Sequence, residues 1–133
     1  KFSTAFSRRG LIAEHGSSWI LPKIVGIANA LELLMTARTF DAAEAHRIGL
    51  VNRVLPQETF LQGVHEFAQD LANNVSPRSL RVIKAQVYRA LGQTQADAYK
   101  LSNEEMIQSF FGEDFREGVA HYLEKRPARF TGK

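Results

Sequence analysis

The chain has 133 residues and a net charge of +3; 44% of its residues are hydrophobic, 23% are charged and none is cysteine. These values are ordinary for one globular domain or part of one, and the absence of thiols excludes disulfides, thiolate metal sites and cysteine nucleophiles. The apolar runs are interrupted by Lys23, Asn29 and Glu32, so we expect no membrane-spanning segment. The absence of cysteine fits a reducing compartment, and we expect the cytoplasm.

The first six residues alternate apolar and polar side chains, which predicts the end of a β-strand over residues 1–6. A glycine-bearing loop follows over residues 10–18 and carries an acidic residue, Glu14. Neither an initiator methionine nor a signal peptide precedes the strand. We therefore expect this chain to be the back half of a larger protein, whose chemistry is shared with residues of the front half.

Two helical segments are predicted after this loop, separated by a glycine. Ser17 and Ser18 are suited to cap a short helix over residues 19–24, because serine hydroxyls accept from free amides at a helix start. Gly26 then interrupts the pattern, and strong helix formers occupy residues 28–37.

A short helix and a short strand are predicted next. Asp41 and Glu44 form a loose capping box, and Gly49 is placed to end the helix that they open. The apolar residues 50–55 are typical of a short strand, which Pro56 closes.

From residue 57 onward the pattern is helical. Four helices are predicted, over residues 57–73, 76–91, 94–110 and 114–126. The second has the clearest start, with Ser76 at the N-cap and Pro77 at the first helical position. Residues 127–133 are expected to be irregular.

Glu14 is the leading candidate for chemistry. It follows Leu11, Ile12 and Ala13 and precedes a Gly-Ser-Ser turn. Burial against apolar side chains is the environment that suits a carboxylate to general acid/base catalysis. The alternative is a surface glutamate stabilised by the dipole of the following helix, and the spacing alone leaves both interpretations open.

The histidine pattern does not predict a metal site. No two histidines stand four residues apart, and the sequence has no HExxH motif. The four are His15, His46, His65 and His121.

One predicted helix carries four basic residues, Arg78, Arg81, Lys84 and Arg89. They indicate either an anion-binding face for phosphates or nucleic acid, or a solvated helix face. No aromatic RNA-binding motif, helix-turn-helix pattern or zinc spacing accompanies them, so we expect no nucleic-acid partner.

Tyr122 and Lys125 place a ring and a cation three residues apart on one face of the last predicted helix, near its end. Such a pair can hold an aromatic anionic ligand by stacking and charge, or the lysine can simply extend along an amphipathic helix.

Four separated stretches carry a resemblance to a known family. They are GLIAEHGSSWILPKIVG (residues 10–26), ALELLMTARTFDAAEAHRIGLVNRVLP (residues 30–56), the helix start from Ser76-Pro77 to Lys84, and EDFREGVAHYLEKRPARFTGK (residues 113–133). Together they resemble the C-terminal half of the enoyl-CoA hydratase/isomerase (crotonase) family. The resemblance implies the end of a ββα spiral α/β fold over residues 1–56. A helical region over residues 57–133 would serve oligomerisation and coenzyme A contact, so the chain would be mostly α.

The resemblance also implies an activity. Enzymes of this family bind unsaturated acyl-CoA thioesters and stabilise an enolate in an oxyanion hole of two backbone N–H groups. Both donors belong to the family's N-terminal half, so this chain alone is expected to be catalytically incomplete. The expected protein is a homotrimer or a dimer of trimers in fatty-acid or related acyl-CoA metabolism, with no cofactor beyond the CoA thioester.

At individual residues, the chain matches some of the family's functional positions and departs from others. Phe6 stands where hydratases of the family carry a catalytic glutamate. Glu14 matches the position where other branches, among them enoyl- and dienoyl-CoA isomerases and a dehalogenase, carry a catalytic Asp or Glu. Tyr122 and Lys125 match positions that hold coenzyme A, often across a subunit boundary, and Trp19 matches a position that lines the acyl pocket. The resemblance leaves open a hydratase (a lyase), an isomerase, or an oligomerisation module without turnover of its own.

Overall fold

The computed structural model describes all 133 residues, which divide into two compact units, Lys1–Glu58 and Thr59–Lys133. The regular structure is entirely helical, which confirms the expectation of a mostly α chain. It comprises the 3-10 turns Ser7–Arg9 and Gln57–Thr59 and six helices: α1 (Ser17–Thr36), α2 (Ala42–Arg47), α3 (Phe60–Asn74), α4 (Pro77–Ala90), α5 (Gln95–Phe110) and α6 (Glu113–Glu124).

The first unit has a small apolar core supplied by α1, α2 and the residues beside them. Its buried members are Val25, Ala30, Leu33, Ala37, Phe40, Ala45 and Ile48.

The N-terminal segment is tied to this unit by a single bridge and by hydroxyl groups. Phe2 and Phe40 exchange backbone hydrogen bonds of 2.8 and 3.0 Å, and their rings stack at 5.5 Å. Ser3, Thr4 and Ser7 donate to carbonyls at the end of α1 at 3.0, 2.9 and 2.8 Å. The bonds from Ser3 and Ser7 satisfy carbonyls that a helix end leaves without partners, and the bond from Thr4 adds to one that the same carbonyl already accepts from the chain.

Both predicted strands are wrong. Residues 1–6 form only the isolated Phe2–Phe40 bridge, because the rest of the segment caps α1 instead of pairing with a strand. Residues 50–55 are bends and irregular backbone. The amides of Leu50 and Val51 both donate to the Ala45 carbonyl, so this segment wraps the end of α2.

Helix α1 is broken where the sequence predicted. Gly26 has φ 77° and ψ 159°, a conformation outside the helical region that glycine adopts without a side-chain clash. The predicted serine caps are wrong, because Gly16 occupies the N-cap and the Ser17 hydroxyl donates to the Glu14 carbonyl at 2.7 Å. Pro22 lies inside the helix, beyond its first turn.

The length and composition of α1 differ from the expectation that no segment of the chain could span a membrane. Helix α1 has 20 residues and a mean hydropathy of 1.3, so by length and composition alone it could cross a membrane. The core helices of soluble proteins pass the same test, so this is weak evidence. The break at Gly26 also leaves two pieces, each well short of the roughly 20 residues that a span needs.

Helix α2 begins and ends as the sequence predicted. Asp41 accepts from the Glu44 amide at 2.8 Å, and Gly49 follows the helix with φ 80°. The Glu44 side chain does not complete the capping box, because it pairs with both terminal nitrogens of Arg38 at 2.8 and 2.5 Å. Arg38 also donates to Glu32 at 2.7 Å, which ties the end of α1 to α2.

The second unit contains α3 to α6 and buries no apolar side chain fully. Helix α4 packs against α5, and α5 against α6. The predicted cap at Ser76 is present, because Ser76 accepts from the Ser79 amide at 3.1 Å. Thr94, predicted as the first residue of its helix, is instead its N-cap and accepts from the Asp97 amide at 3.2 Å. Exposed apolar side chains occur on every helix of this unit, among them Leu61, Ile83, Val87, Ile107 and Leu123.

Candidate functional site

Glu14 lies in the turn that leads into α1, and the backbone there is tightly constrained. His15 and Gly16 follow it with φ values of 54° and 72°, both in the left-handed region. The Ser17 amide and hydroxyl both donate to the Glu14 carbonyl, at 3.0 and 2.7 Å. The backbone of Glu14 is therefore fixed just before the helix, although the residue belongs to a loop.

The Glu14 carboxylate is partly accessible. Its side chain is 38% exposed, and Glu14 Oε2 lies 3.7 Å from Nε2 of His15, whose own side chain is 86% exposed. Leu11 and Ile12 are 48% and 80% exposed, so these two residues do not form the apolar enclosure that the sequence suggested. They extend from a short turn and have little of this unit to pack against.

Trp19 lies in the first turn of α1, five positions after Glu14, and its side chain is 54% exposed. The Lys23 ammonium lies 3.3 Å from the centre of the indole ring, one helical turn later. One face of the indole therefore already carries a cation, a contact worth about 0.5–1 kcal/mol at an exposed site.

Phe6 occupies the position at which, by the family resemblance, hydratases carry a second carboxylate. Its carbonyl accepts from the amides of Arg9 and Leu11 at 2.9 and 3.0 Å. This turn leads directly into the segment that carries Glu14.

Tyr122 and Lys125 lie at the end of α6, in the second unit. Tyr122 is in the last turn and 78% exposed. Lys125 follows the helix as its C-cap with φ 52° and ψ 42°. The prediction that both lie on one helix face is therefore wrong, because α6 ends at Glu124 and the backbone turns at the lysine.

Two anchoring carboxylates were not predicted from the sequence, and the first is Asp114. It is 6% exposed and accepts from the Ser76 hydroxyl at 2.5 Å, from the Thr131 amide at 2.8 Å and from the Gly132 amide at 3.1 Å. Burial alone would raise the pKa of Asp114, but these three hydrogen bonds and the charge of Arg78 outweigh it, so the pKa lies below its ordinary value. The carboxylate therefore fixes the end of the chain to α6 and to the start of α4.

The second missed carboxylate is Glu117. Both terminal nitrogens of Arg126 donate to it, at 2.5 and 2.8 Å, and the Arg129 amide donates at 2.7 Å. The bonds from Arg126 lower the pKa of Glu117 to about 2, with the Arg129 amide adding to the effect and burial opposing it. The sequence signal that could have indicated these contacts is an acidic helix start followed by a basic tail.

The remaining candidates do not form a site. Arg78 donates to Ser109 at 2.6 Å and to Glu105 at 3.1 Å, with only 16% of its side chain exposed, so the basic run is not a uniform exposed face. The structure brings no three His, Asp or Glu side chains into a metal-binding arrangement.

Comparisons with known proteins agree on one family. The family model for Enoyl-CoA hydratase/isomerase matches residues 1–133. The 1,2-epoxyphenylacetyl-CoA isomerase of Escherichia coli K12 is 33% identical over 133 residues, which are 100% of this chain and 50% of that protein. A protein named as a probable enoyl-CoA hydratase in Rhodobacter capsulatus is 37% identical over 99% of this chain and 51% of its own length.

Solved structures give the same result. The crystal structure of an enoyl-CoA hydratase from Polaromonas sp. JS666 superposes with a TM-score of 0.90 at 28% identity, covering 98% of this chain and 50% of that one. A Streptomyces coelicolor A3(2) protein of known structure gives a TM-score of 0.92 at 31% identity, covering 99% of this chain and 48% of that one. The chain thus spans about half the length of the relatives that it matches. By full-length family match and by fold, this chain belongs to the enoyl-CoA hydratase/isomerase family.

Proposed function

We propose that the complete protein acts on unsaturated acyl-CoA thioesters with Glu14 as the acid/base. The observation that carries this proposal is a partly exposed carboxylate on a residue whose backbone carbonyl is fixed by Ser17 at the start of α1, in a chain of this family. The enolate formed when a proton leaves carbon would be stabilised by backbone amides outside this chain. In other enzymes, removing one such donor costs about 10²–10³ in turnover.

The carboxylates available to the reaction favour isomerisation. One carboxylate suffices to take a proton from the α or γ carbon and return it at the other position. Addition of water is easier when a second carboxylate orients the water, and Phe6 stands where hydratases carry that group. The names of several relatives favour hydration, so a hydratase with a second carboxylate elsewhere in the protein is the alternative.

Coenzyme A would be held by Tyr122 and Lys125. Both are exposed at the end of α6, where the ammonium can meet a phosphate and the ring can stack on an aromatic group. Trp19 would line the acyl pocket. No cofactor beyond the CoA thioester enters this chemistry.

A homotrimer or a dimer of trimers, working in the cytoplasm, is the assembly that we propose. The second unit supports an oligomer, because its apolar side chains stay exposed in the single chain. The same observation favours a second candidate, in which this chain alone is an oligomerisation and ligand-contact module without turnover.

Incubation of the complete protein with a short 2-enoyl-CoA in deuterated water tests the reaction. A migrated double bond, or deuterium at carbon without added water, would identify an isomerase. Addition of water would identify a hydratase. If mass spectrometry detects no reaction and the chain forms a stable assembly, only the second candidate remains, an oligomerisation and ligand-contact module without turnover.

A further inference from the structure

We propose that Glu117 is a positioning residue for coenzyme A binding: it clamps the chain after α6 through Arg126 and thereby fixes where Lys125 points. The inference rests on the proposed contact between Lys125 and coenzyme A. It adds a residue that would not touch the ligand itself.

The clamp consists of one carboxylate and three donors. Arg126 donates to both oxygens of Glu117, at 2.5 and 2.8 Å, and the Arg129 amide donates at 2.7 Å. The Glu117 and Arg126 side chains are only 19% and 30% exposed. Two parallel bonds between planar groups fix orientation as well as distance, so Arg126 is held against α6.

Lys125 lies between this clamp and the end of the helix. Its amide donates to the His121 carbonyl, and the Arg126 amide donates to the same carbonyl at 3.2 Å. Its φ of 52° is a left-handed conformation, which costs a residue with a side chain more than it costs glycine. The neighbours on both sides must therefore hold the lysine in place, and Glu117 secures the one that follows it.

A role of Glu117 through its charge and a role through positioning Lys125 predict opposite effects on CoA binding. Coenzyme A carries several negative phosphate charges, and Glu117 is an anion eight positions before Lys125 in the sequence. If Glu117 acted only through its charge, neutralising it would strengthen CoA binding. If it positions Lys125, neutralising it weakens CoA binding, because the lysine must then be ordered on binding.

The chain supplies a matched control. Glu124 also pairs with Arg126, at 2.5 Å, but through one nitrogen and with 57% of its side chain exposed. Glu124→Gln therefore removes the same charge from the same arginine, closer in sequence to Lys125, and leaves the two-bond clamp in place.

The experiment measures the Kd of free coenzyme A by calorimetry, and kcat and KM for a 2-enoyl-CoA, in the complete protein. Glu117→Gln should raise the Kd and the KM by about three- to tenfold, the cost of ordering one long side chain, with kcat unchanged. Glu124→Gln should leave the Kd unchanged or slightly lower. In a Lys125→Ala background, Glu117→Gln should have no further effect.

Arg126→Lys provides a second variant that keeps the charge and loses the two-bond geometry. It should also weaken CoA binding and should speed hydrogen exchange at the Arg129 amide. This keeps the test decisive if Glu117→Gln folds poorly.

Two results overturn the proposal, and they are distinguishable. In the first, CoA binding is unchanged or tighter in Glu117→Gln and Arg126→Lys but is lost in Lys125→Ala. This result would rule out a role of the clamp in CoA binding and would leave the proposed function intact. No loss in Lys125→Ala would remove the CoA contact itself, and the clamp's role with it.

Discussion

Lys125 combines an unfavourable backbone conformation with a proposed binding role, so stability and binding should respond to it in opposite directions. Replacing it with glycine should stabilise the fold by about 1 kcal/mol, because glycine adopts the left-handed conformation freely. The same change should weaken CoA binding. Thermal unfolding and calorimetry of Lys125→Gly check both, and a fall in the unfolding temperature would contradict the backbone argument.

Trp19 is the only tryptophan of this chain and can report on its proposed place in the acyl pocket. An acyl-CoA should change its emission by covering the indole and disturbing its contact with Lys23, whereas free coenzyme A should not. Subtracting the spectrum of a Trp19→Phe variant isolates this signal in the complete protein. An equal change with free coenzyme A would contradict the assignment.

At single residues, the sequence predicted local bonding better than surroundings. The caps at Asp41 and Ser76 could be predicted because a cap depends on side chains within three positions. The enclosure of Glu14 and the shared face of Tyr122 and Lys125 depend on what packs around them and on where a helix ends. Those features are not contained in a short pattern.

At the scale of elements, the segment after α6 should detach in acid. The pKa of Glu117 is lowered to about 2 from an ordinary value of 4.5. Because this pKa is lowered in the folded chain, the stability that the ionised Glu117 gives to the segment is present above about pH 4.5 and is lost as the pH falls toward 2. The protection of the Arg129 amide from hydrogen exchange, measured against an unstructured peptide at the same pH, should fall across this range, and Glu117→Gln should abolish that fall. Protection as high at pH 2 as at pH 5 would contradict the prediction.

Asp114 should matter more for folding than for binding. Asp114→Ala would leave the Thr131 and Gly132 amides without their partner and remove one of the bonds of the Ser76 hydroxyl. Losing such buried hydrogen bonds typically costs about 1–3 kcal/mol per group left unpaired. Chemical denaturation measures this, and a change within about 0.5 kcal/mol, as for an ordinary surface site, would contradict it.

The elements also show where sequence reasoning fails. The helices from residue 60 onward could be predicted because helical periodicity and caps are local. The two strands could not, because a strand needs a partner, and alternation in residues 1–6 does not reveal whether one exists. Here the same residues satisfy the end of α1.

At the scale of the whole molecule, the second unit is incomplete by itself. It exposes apolar side chains on all four of its helices and fully buries none. We expect light scattering of the complete protein to give a mass of three or six chains, because association would cover such surfaces. A monodisperse, fully active monomer would contradict the proposed assembly.

The central claim is that Glu14 moves the proton, and the rate of deuterium transfer to the acyl chain tests it most directly. In deuterated water, Glu14→Gln should incorporate deuterium into a 2-enoyl-CoA at least about a hundredfold more slowly than the parent protein, with CoA binding retained. Glu58→Gln, at an exposed glutamate of the same unit, is the matched control and should be unchanged. Undiminished deuterium transfer by Glu14→Gln would contradict the account and assign the acid/base to another residue.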